Sequence, residues 1–167
     1  MIKYKIKKKP VKTHPFLYKI FYIDKAGKNH SKIKSRLLKS HKYGLRGKPD
    51  IIFRHIITGS LLPMELKSSK IANSTAPHYG DFMQLVTYFI LIEESFLARP
   101  KKGILAYSDY MFVIKNTKAL RNQLLKVVDD MRQMLSTGEG MANPSFVNCR
   151  YCIAKNSVCT YKFIGKH

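Results

Sequence analysis

The sequence predicts an α/β domain, on three observations. Two long stretches carry an apolar stripe at helical spacing, several short apolar stretches lie between turns, and no internal repeat or low-complexity linker interrupts them. A chain of 167 residues fits a single domain that is long enough to bury a core. We therefore expect residues 1–167 to form one domain, with a basic N-terminal segment at 1–14 and a cysteine-rich C-terminal segment at 141–167.

The first half of the chain is predicted to be mainly strands. Ile2, Tyr4 and Ile6 alternate with lysines, which is typical either of an edge strand or of a disordered arm. Residues 15–22 predict a short helix. Strands are predicted over residues 35–40, 45–55 and 61–67, with turns at Tyr43-Gly44 and at residues 58–60. These three strands would form a meander.

The second half is predicted to contain two helices and a hairpin. Residues 80–97 predict a helix whose core stripe is Phe82, Leu85, Val86, Phe89 and Ile90. Gln84 and Tyr88 lie four residues apart on a different face of it, so they are neighbours. Residues 102–107 and 110–115 predict the hairpin. Residues 118–135 predict the second helix, with an apolar stripe of Leu120, Leu124, Val127, Val128, Met131 and Leu135.

The charge of the chain favours a polyanionic partner. Thirty-one Lys and Arg face ten Asp and Glu, a formal net charge of +21, and nucleic acid is the commonest polyanion. The dense basic run at residues 3–12 is either a solvated terminus or a phosphate-binding segment. Without an apolar stretch near 18 residues or a signal-peptide core, we expect no membrane partner and a cytoplasmic location, in a host cell if the protein is viral.

Asp50, Glu65 and Lys67 carry the most specific chemistry. Two carboxylates on adjacent strands can hold a hard cation such as magnesium or manganese, which polarises a phosphate and lowers the pKa of a bound water. Glu65 and Lys67 point to the same side of a strand, and the lysine can orient that water or stabilise developing charge. We expect the Glu65 side chain to lie outside the core. The competing interpretation is a turn aspartate and a surface ion pair.

These residues resemble the motifs of a known enzyme superfamily. Gly47-Lys48-Pro49-Asp50, Glu65-Leu66-Lys67 and the Gln84 to Tyr88 segment are similar to those of the PD-(D/E)XK nucleases, in their RecB-like branch. The C-terminal Cys149-x-x-Cys152 with Cys159 is similar to that of the CRISPR-associated RecB-like exonucleases and their relatives in viruses and mobile elements. The resemblance spans residues 45–159.

The resemblance implies a restriction-endonuclease-like core, a mixed central sheet flanked by helices. It implies that Asp50 and Glu65 are metal ligands, with the backbone carbonyl of Leu66 as a third, and that Lys67 is the catalytic lysine. Gln84 and Tyr88 would position the DNA strand and the lysine. For the upstream histidine that can touch the metal in this family, His30 is the first candidate and His41 the second. The competing interpretation of both is a solvated histidine.

The three cysteines lie within the last nineteen residues, in an unpaired number, so a disulfide framework is not expected. In the resembled family, three such cysteines join a fourth from the N-terminal region to bind a four-iron four-sulfur cluster. Here His14 stands near the place of that cysteine, and a histidine can complete either an iron or a zinc site. An iron–sulfur cluster, zinc, or free thiols all remain open; a bound centre would join the two termini.

Together these features predict a magnesium- or manganese-dependent deoxyribonuclease. The resemblance suggests an exonuclease, with endonuclease action also open, on single-stranded DNA ends. Its context would be CRISPR antiviral defence, with CRISPR adaptation proteins as partners, or a virus. The alternatives are a catalytically idle, basic DNA-binding protein on the same fold, and a lambda-type recombination exonuclease, which lacks the cysteine cluster.

Overall fold

The structure is a computed structural model that describes residues 5–7, 15–24, 36–71 and 76–140, together with Cys149, Cys152, Ser157, Cys159 and Thr160. The chain divides into two compact units, residues 1–126 and 127–167. The first unit has an α/β fold and contains every residue of the predicted catalytic motifs. His14 and His30 lie outside the described residues.

A six-stranded mixed sheet forms the first unit, in the strand order β1-β8-β7-β6-β5-β2. Only β6 and β7 run parallel within it, and a helix connects them, as parallel neighbours require. A separate two-stranded sheet pairs β3 with β4. The elements are β1 (Lys5–Lys7), β2 (Tyr18–Ile23), β3 (Leu38–Ser40), β4 (Leu45–Gly47), β5 (Ile51–His55), β6 (Leu61–Leu66), α1 (Tyr79–Phe96), β7 (Lys102–Ala106), β8 (Met111–Lys115) and α2 (Lys118–Thr137).

The N-terminal elements differ in part from the sequence prediction. Residues 5–7 form the edge strand that was one of two expectations, pairing with β8. The helix predicted over residues 15–22 is wrong, because most of this stretch is strand β2, which pairs antiparallel with β5 from Tyr18 opposite His55. The predicted meander is also wrong: the stretch 45–55 breaks at Pro49, so β4 and β5 belong to different sheets. A proline ends a ladder because it lacks an N–H donor.

Helix α1 packs on one face of the sheet. Its predicted stripe is buried, and it approaches β7 so closely at Gly103 that a Cβ there would lie 2.8 Å from Phe89 Cε1. Ser40 of β3 donates a hydrogen bond of 2.8 Å to Glu94, which ties the small sheet to the same helix. The opposite face of the large sheet carries a second apolar cluster of Phe53, Leu62, Met64, Ile104, Ala106 and Met111.

The predicted second helix and the hairpin before it are present, as β7, β8 and α2. The apolar stripe of α2 is buried at Leu120 and Leu124, whereas Met131 and Leu135 are exposed. Across the described ranges, no helix is both long and apolar enough to cross a membrane.

Candidate active site

The predicted catalytic residues meet at one edge of the sheet, where β6 and β7 end and where β5 and α1 begin. Strands β6 and β7 run parallel, with Glu65 opposite Leu105, so both strands end at the same edge of the sheet. Strand β5 runs antiparallel to β6 and pairs Ile51 with Met64. Its preceding residue, Asp50, therefore lies at that edge. The first turns of α1 reach the same place, because Asp81 and Gln84 contact Lys67, which directly follows β6.

Asp50 and Glu65 both lie at this edge, but their carboxylates have different hydrogen-bond partners. One oxygen of Asp50, Oδ2, accepts the backbone N–H of Leu66 at 2.7 Å, which fixes it beside the Glu65–Lys67 segment. Glu65 is only 5% exposed, so the expectation that its side chain lies outside the core is wrong, and Gln84 of α1 packs against it. Its Oε2 atom is buried without a hydrogen-bond partner among the described residues. Such an oxygen is costly in a folded protein and is usually satisfied by an ion or water.

The surroundings of Glu65 disfavour its ionised form. Burial, and after it the negative charge of Asp50, raise the pKa of Glu65 above that of an ordinary glutamate, although the Lys67 ammonium opposes this. A divalent cation held by the two carboxylates would offset both causes of the rise, because its positive charge stabilises the ionised form of each.

Lys67 lies at the centre of the cluster. Its Nζ is 3.1 Å from Glu65 Oε1 and 3.1 Å from Asp81 Oδ1, and it donates a hydrogen bond of 2.7 Å to Gln84 Oε1. Burial alone would lower the pKa of Lys67, but the hydrogen bonds and charges of Asp81 and Glu65 outweigh it and raise that pKa. Lys67 is thus a cation at neutral pH, and its side chain points with that of Glu65, as predicted from the strand spacing.

Gln84 and Tyr88 join the cluster from adjacent turns of α1. Gln84 Nε2 donates to Glu65 Oε1 at 2.8 Å and to the Tyr88 hydroxyl at 2.7 Å. That hydroxyl donates in turn to the carbonyl oxygen of Lys48 at 3.0 Å. Burial raises the pKa of Tyr88, so the phenol keeps the proton it donates at neutral pH. The predicted pairing of Gln84 and Tyr88 is confirmed, and both orient the residues around Asp50 and Glu65.

Two members of the cluster were missed by the sequence analysis. Asp81 lies one turn before Gln84 and pairs with Lys67 through Oδ1. Tyr107, directly after β7, donates a hydrogen bond of 2.7 Å to Asp81 Oδ2. The helical spacing of Asp81 from Gln84 was an available signal, since residues three apart share a face. No local pattern marks Tyr107, because its position depends on the alignment of β7 with β6.

The described histidines are placed outside the carboxylate pair. His41 is exposed in the turn after β3, so the structure does not bring this second candidate to Asp50. His78 directly precedes α1; its backbone N–H donates to the Tyr107 hydroxyl at 3.1 Å, and its ring lies edge-on to that of Tyr107.

The cysteines belong to the second unit. Cys149 and Cys159 are half-buried, Cys152 is exposed, and all three thiols are free. The N–H of Cys152 donates to the carbonyl of Cys149 at 3.3 Å, a tight turn at the Cys-x-x-Cys spacing. Within the described part of the chain, no group of three or more His, Cys, Asp and Glu side chains is arranged to hold a metal ion. His14, the predicted fourth ligand, falls outside that part.

Comparison with known proteins adds information on the fold. No protein-family model matches this chain, and no curated sequence matches it significantly. Among solved structures, the crystal structure of SSO0001 is similar, with a TM-score of 0.51 and 21% sequence identity, covering 77% of this chain and 58% of that chain. This chain therefore matches little more than half of the length of SSO0001. At this identity the similarity shows a shared fold.

Proposed function

We propose that this protein is a metal-dependent DNA nuclease with a PD-(D/E)XK active site on a restriction-endonuclease-like fold. The observation that carries the proposal is the buried, unpartnered Oε2 of Glu65, next to Asp50 and on the same carboxylate that Lys67 contacts. A buried carboxylate oxygen without a donor, beside a second carboxylate, suits a hard divalent cation. The adjacent ammonium can stabilise the negative charge that develops on the phosphate during hydrolysis.

Asp50 and Glu65 fit a magnesium or manganese ion, and the backbone carbonyl of Leu66 is the third ligand that the motif implies. When bound, such an ion polarises the phosphate and lowers the pKa of an attacking water. The protein supplies the positions of the ligands. The Leu66 N–H holds one oxygen of Asp50, and Gln84 holds Oε1 of Glu65, which leaves Oε2 available.

Lys67 would stabilise the charge that develops on the phosphate, or orient the water that attacks it. Its ammonium is positioned by acceptors in the folded protein before any substrate arrives, so little reorganisation is needed during the reaction. Gln84 and Tyr88 act by holding Glu65, Lys67 and the Lys48 carbonyl in one hydrogen-bonded arrangement.

A polyanionic substrate agrees with the charges at the surface. Arg36, Lys39, Arg46 and Arg54 are exposed cations of the first unit, and none of these four pairs with a carboxylate among the described residues. Such cations bind phosphates and release counterions, so affinity should fall steeply with salt. From the resemblance of the motifs, we propose single-stranded DNA ends as the substrate, in a CRISPR-associated or a viral setting.

Cleavage assays test the proposal directly. Linear single-stranded, linear double-stranded and circular DNA would be incubated with the protein in magnesium and in manganese. Glu65→Gln and Lys67→Ala should abolish cleavage, while the matched control Lys70→Ala, at an exposed lysine three residues beyond Lys67, should cut like the wild type. Gln is preferred to Ala at position 65 because this side chain is buried. DNA binding without cleavage by the wild type would instead support the idle DNA-binding protein.

We also propose, on the family resemblance and the Cys-x-x-Cys spacing, that Cys149, Cys152 and Cys159 bind an iron–sulfur cluster or zinc. Metal binding would contribute to folding of the second unit, because ligands come together only in the folded chain. Anaerobically purified protein would be analysed for iron and zinc. Stoichiometric metal that is lost in Cys152→Ser supports the site; no metal in the wild type contradicts it. His14→Ala tests the fourth ligand.

A further inference from the structure

The Lys67 ammonium has three N–H donors, and three acceptor oxygens lie within reach of it. An ammonium carries three N–H groups, and Nζ of Lys67 lies within reach of Gln84 Oε1 at 2.7 Å, Glu65 Oε1 at 3.1 Å and Asp81 Oδ1 at 3.1 Å. Two of these acceptors come from α1 and one from β6. Asp81 is the only acceptor of the three that lies outside the predicted motifs.

Asp81 is itself held in place by the core of the sheet. Its Oδ2 accepts the Tyr107 hydroxyl at 2.7 Å. Tyr107 is 0% exposed, and its oxygen also accepts the backbone N–H of His78 at 3.1 Å. Both carboxylate oxygens of Asp81 are therefore engaged, one by the fully buried tyrosine and the other by Lys67. An aspartate in the first turn of a helix usually serves the helix end, yet these two partners come from outside the helix.

We propose that Asp81 is a positioning residue for the reaction, acting through Lys67; this inference rests on the proposed nuclease function. Asp81, on α1, and Glu65, on β6, attract the ammonium at equal distances of 3.1 Å. Without Asp81, Glu65 is the only carboxylate among the described residues in contact with the ammonium, so Lys67 would move onto a metal ligand and away from the phosphate. Tyr107 fixes Asp81, and through it the direction in which Lys67 points.

The test compares Asp81→Asn with the matched control Glu93→Gln. Glu93 lies on the same helix and also pairs with one cation, Arg121, so the control removes an equal charge far from the cluster. Single-turnover cleavage would be measured over a series of DNA and metal concentrations. We expect the maximal rate of Asp81→Asn to fall about 10- to 100-fold, the range seen when a residue that orients a metal ligand is replaced. The concentrations giving half-maximal rate should stay within about twofold of wild type.

Tyr107→Phe provides a second measurement. It keeps the ring but removes the hydrogen bond to Asp81, so we expect a smaller fall in maximal rate, again without a change in half-saturation. The control Glu93→Gln should retain the wild-type rate. A purely structural role of Asp81 would lower thermal stability and leave the maximal rate of the folded fraction unchanged.

Three outcomes would overturn the inference. If Asp81→Asn cuts at the wild-type rate, Asp81 does not position Lys67. If its half-saturating metal concentration rises tenfold or more, Asp81 is a metal ligand instead. If Glu93→Gln lowers the maximal rate as much as Asp81→Asn does, the effect comes from the loss of one negative charge on α1 and not from Asp81 in particular. Failure of the wild type to cut any DNA with either metal is distinct from these, because it removes the nuclease proposal itself and this inference with it.

Discussion

Metal binding at Asp50 and Glu65 should be visible as thermal stabilisation, without any cleavage assay. A ligand that binds only the folded state adds about 2.7 kcal/mol to the unfolding free energy at a concentration about 100 times its Kd. For a chain of this size, each kcal/mol raises Tm by roughly 2–4 °C. We therefore expect magnesium or manganese to raise the Tm of the wild type by roughly 5–11 °C at that concentration.

Glu65→Gln should remove most of this shift. It replaces one of the two carboxylates by a neutral amide and occupies the position of the unpartnered Oε2. If the affinity falls about 100-fold, the same metal concentration is close to the new Kd, and the stabilisation falls to about 0.4 kcal/mol. The shift would then be on the order of 1 °C.

The assay is far-UV circular dichroism during heating, since the chain has no tryptophan to report by fluorescence. Glu94→Gln is the control: it removes one negative charge from α1, and an amide oxygen can still accept the 2.8 Å hydrogen bond from Ser40. The control should keep the wild-type shift. An equal shift in Glu65→Gln, or no shift in the wild type with either metal, would refute the assignment of Glu65 as a ligand.

Gly103→Ala should lower the unfolding free energy by about 1–3 kcal/mol in urea denaturation, because its Cβ would lie 2.8 Å from Phe89 Cε1; Gly80→Ala, with nothing within 4 Å, should not destabilise the protein. Tyr88→Phe should cost about 1–3 kcal/mol in the same experiment and reduce cleavage, because a buried hydrogen-bond network loses a member. The pKa of Glu65 is raised in the folded, metal-free protein, so its protonated form stabilises the fold. This stabilisation should be fully present below the pKa of an unfolded glutamate and should be lost as the pH rises through the folded pKa. Metal affinity, measured by calorimetry, should increase over the same pH range.

The sequence predicted the parts of the site that depend on local spacing. Glu65 and Lys67 share one side of their segment because strand residues alternate, and Gln84 meets Tyr88 because helix residues four apart are neighbours. Their roles in catalysis remain proposals. The placement of Asp50 beside β6 was also predictable from the sequence, since β5 and β6 are joined by a short turn.

The errors arose where pairing between distant segments decides the structure. Residues 15–22 carry apolar side chains at spacings that suit a helix, but Tyr18 pairs with His55 along β5, and that ladder makes the stretch a strand. The burial of Glu65 could not be read from its neighbours, because Gln84 of α1 packs against it from another part of the chain. Pro49, in contrast, was a local signal that the stretch 45–55 is interrupted.

Because α1 supplies much of the candidate site, the site should unfold only together with that helix. Active sites are commonly built on loops, which unfold locally at low free energy while the rest of the protein stays folded. Here half of the 18 residues of α1 are buried, and the same helix supplies Asp81, Gln84 and Tyr88. Amide hydrogens of the buried residues in the middle of this helix should exchange only when the first unit opens as a whole. The proposed nuclease activity should then survive fraying of the sheet edges and disappear together with the fold of that unit.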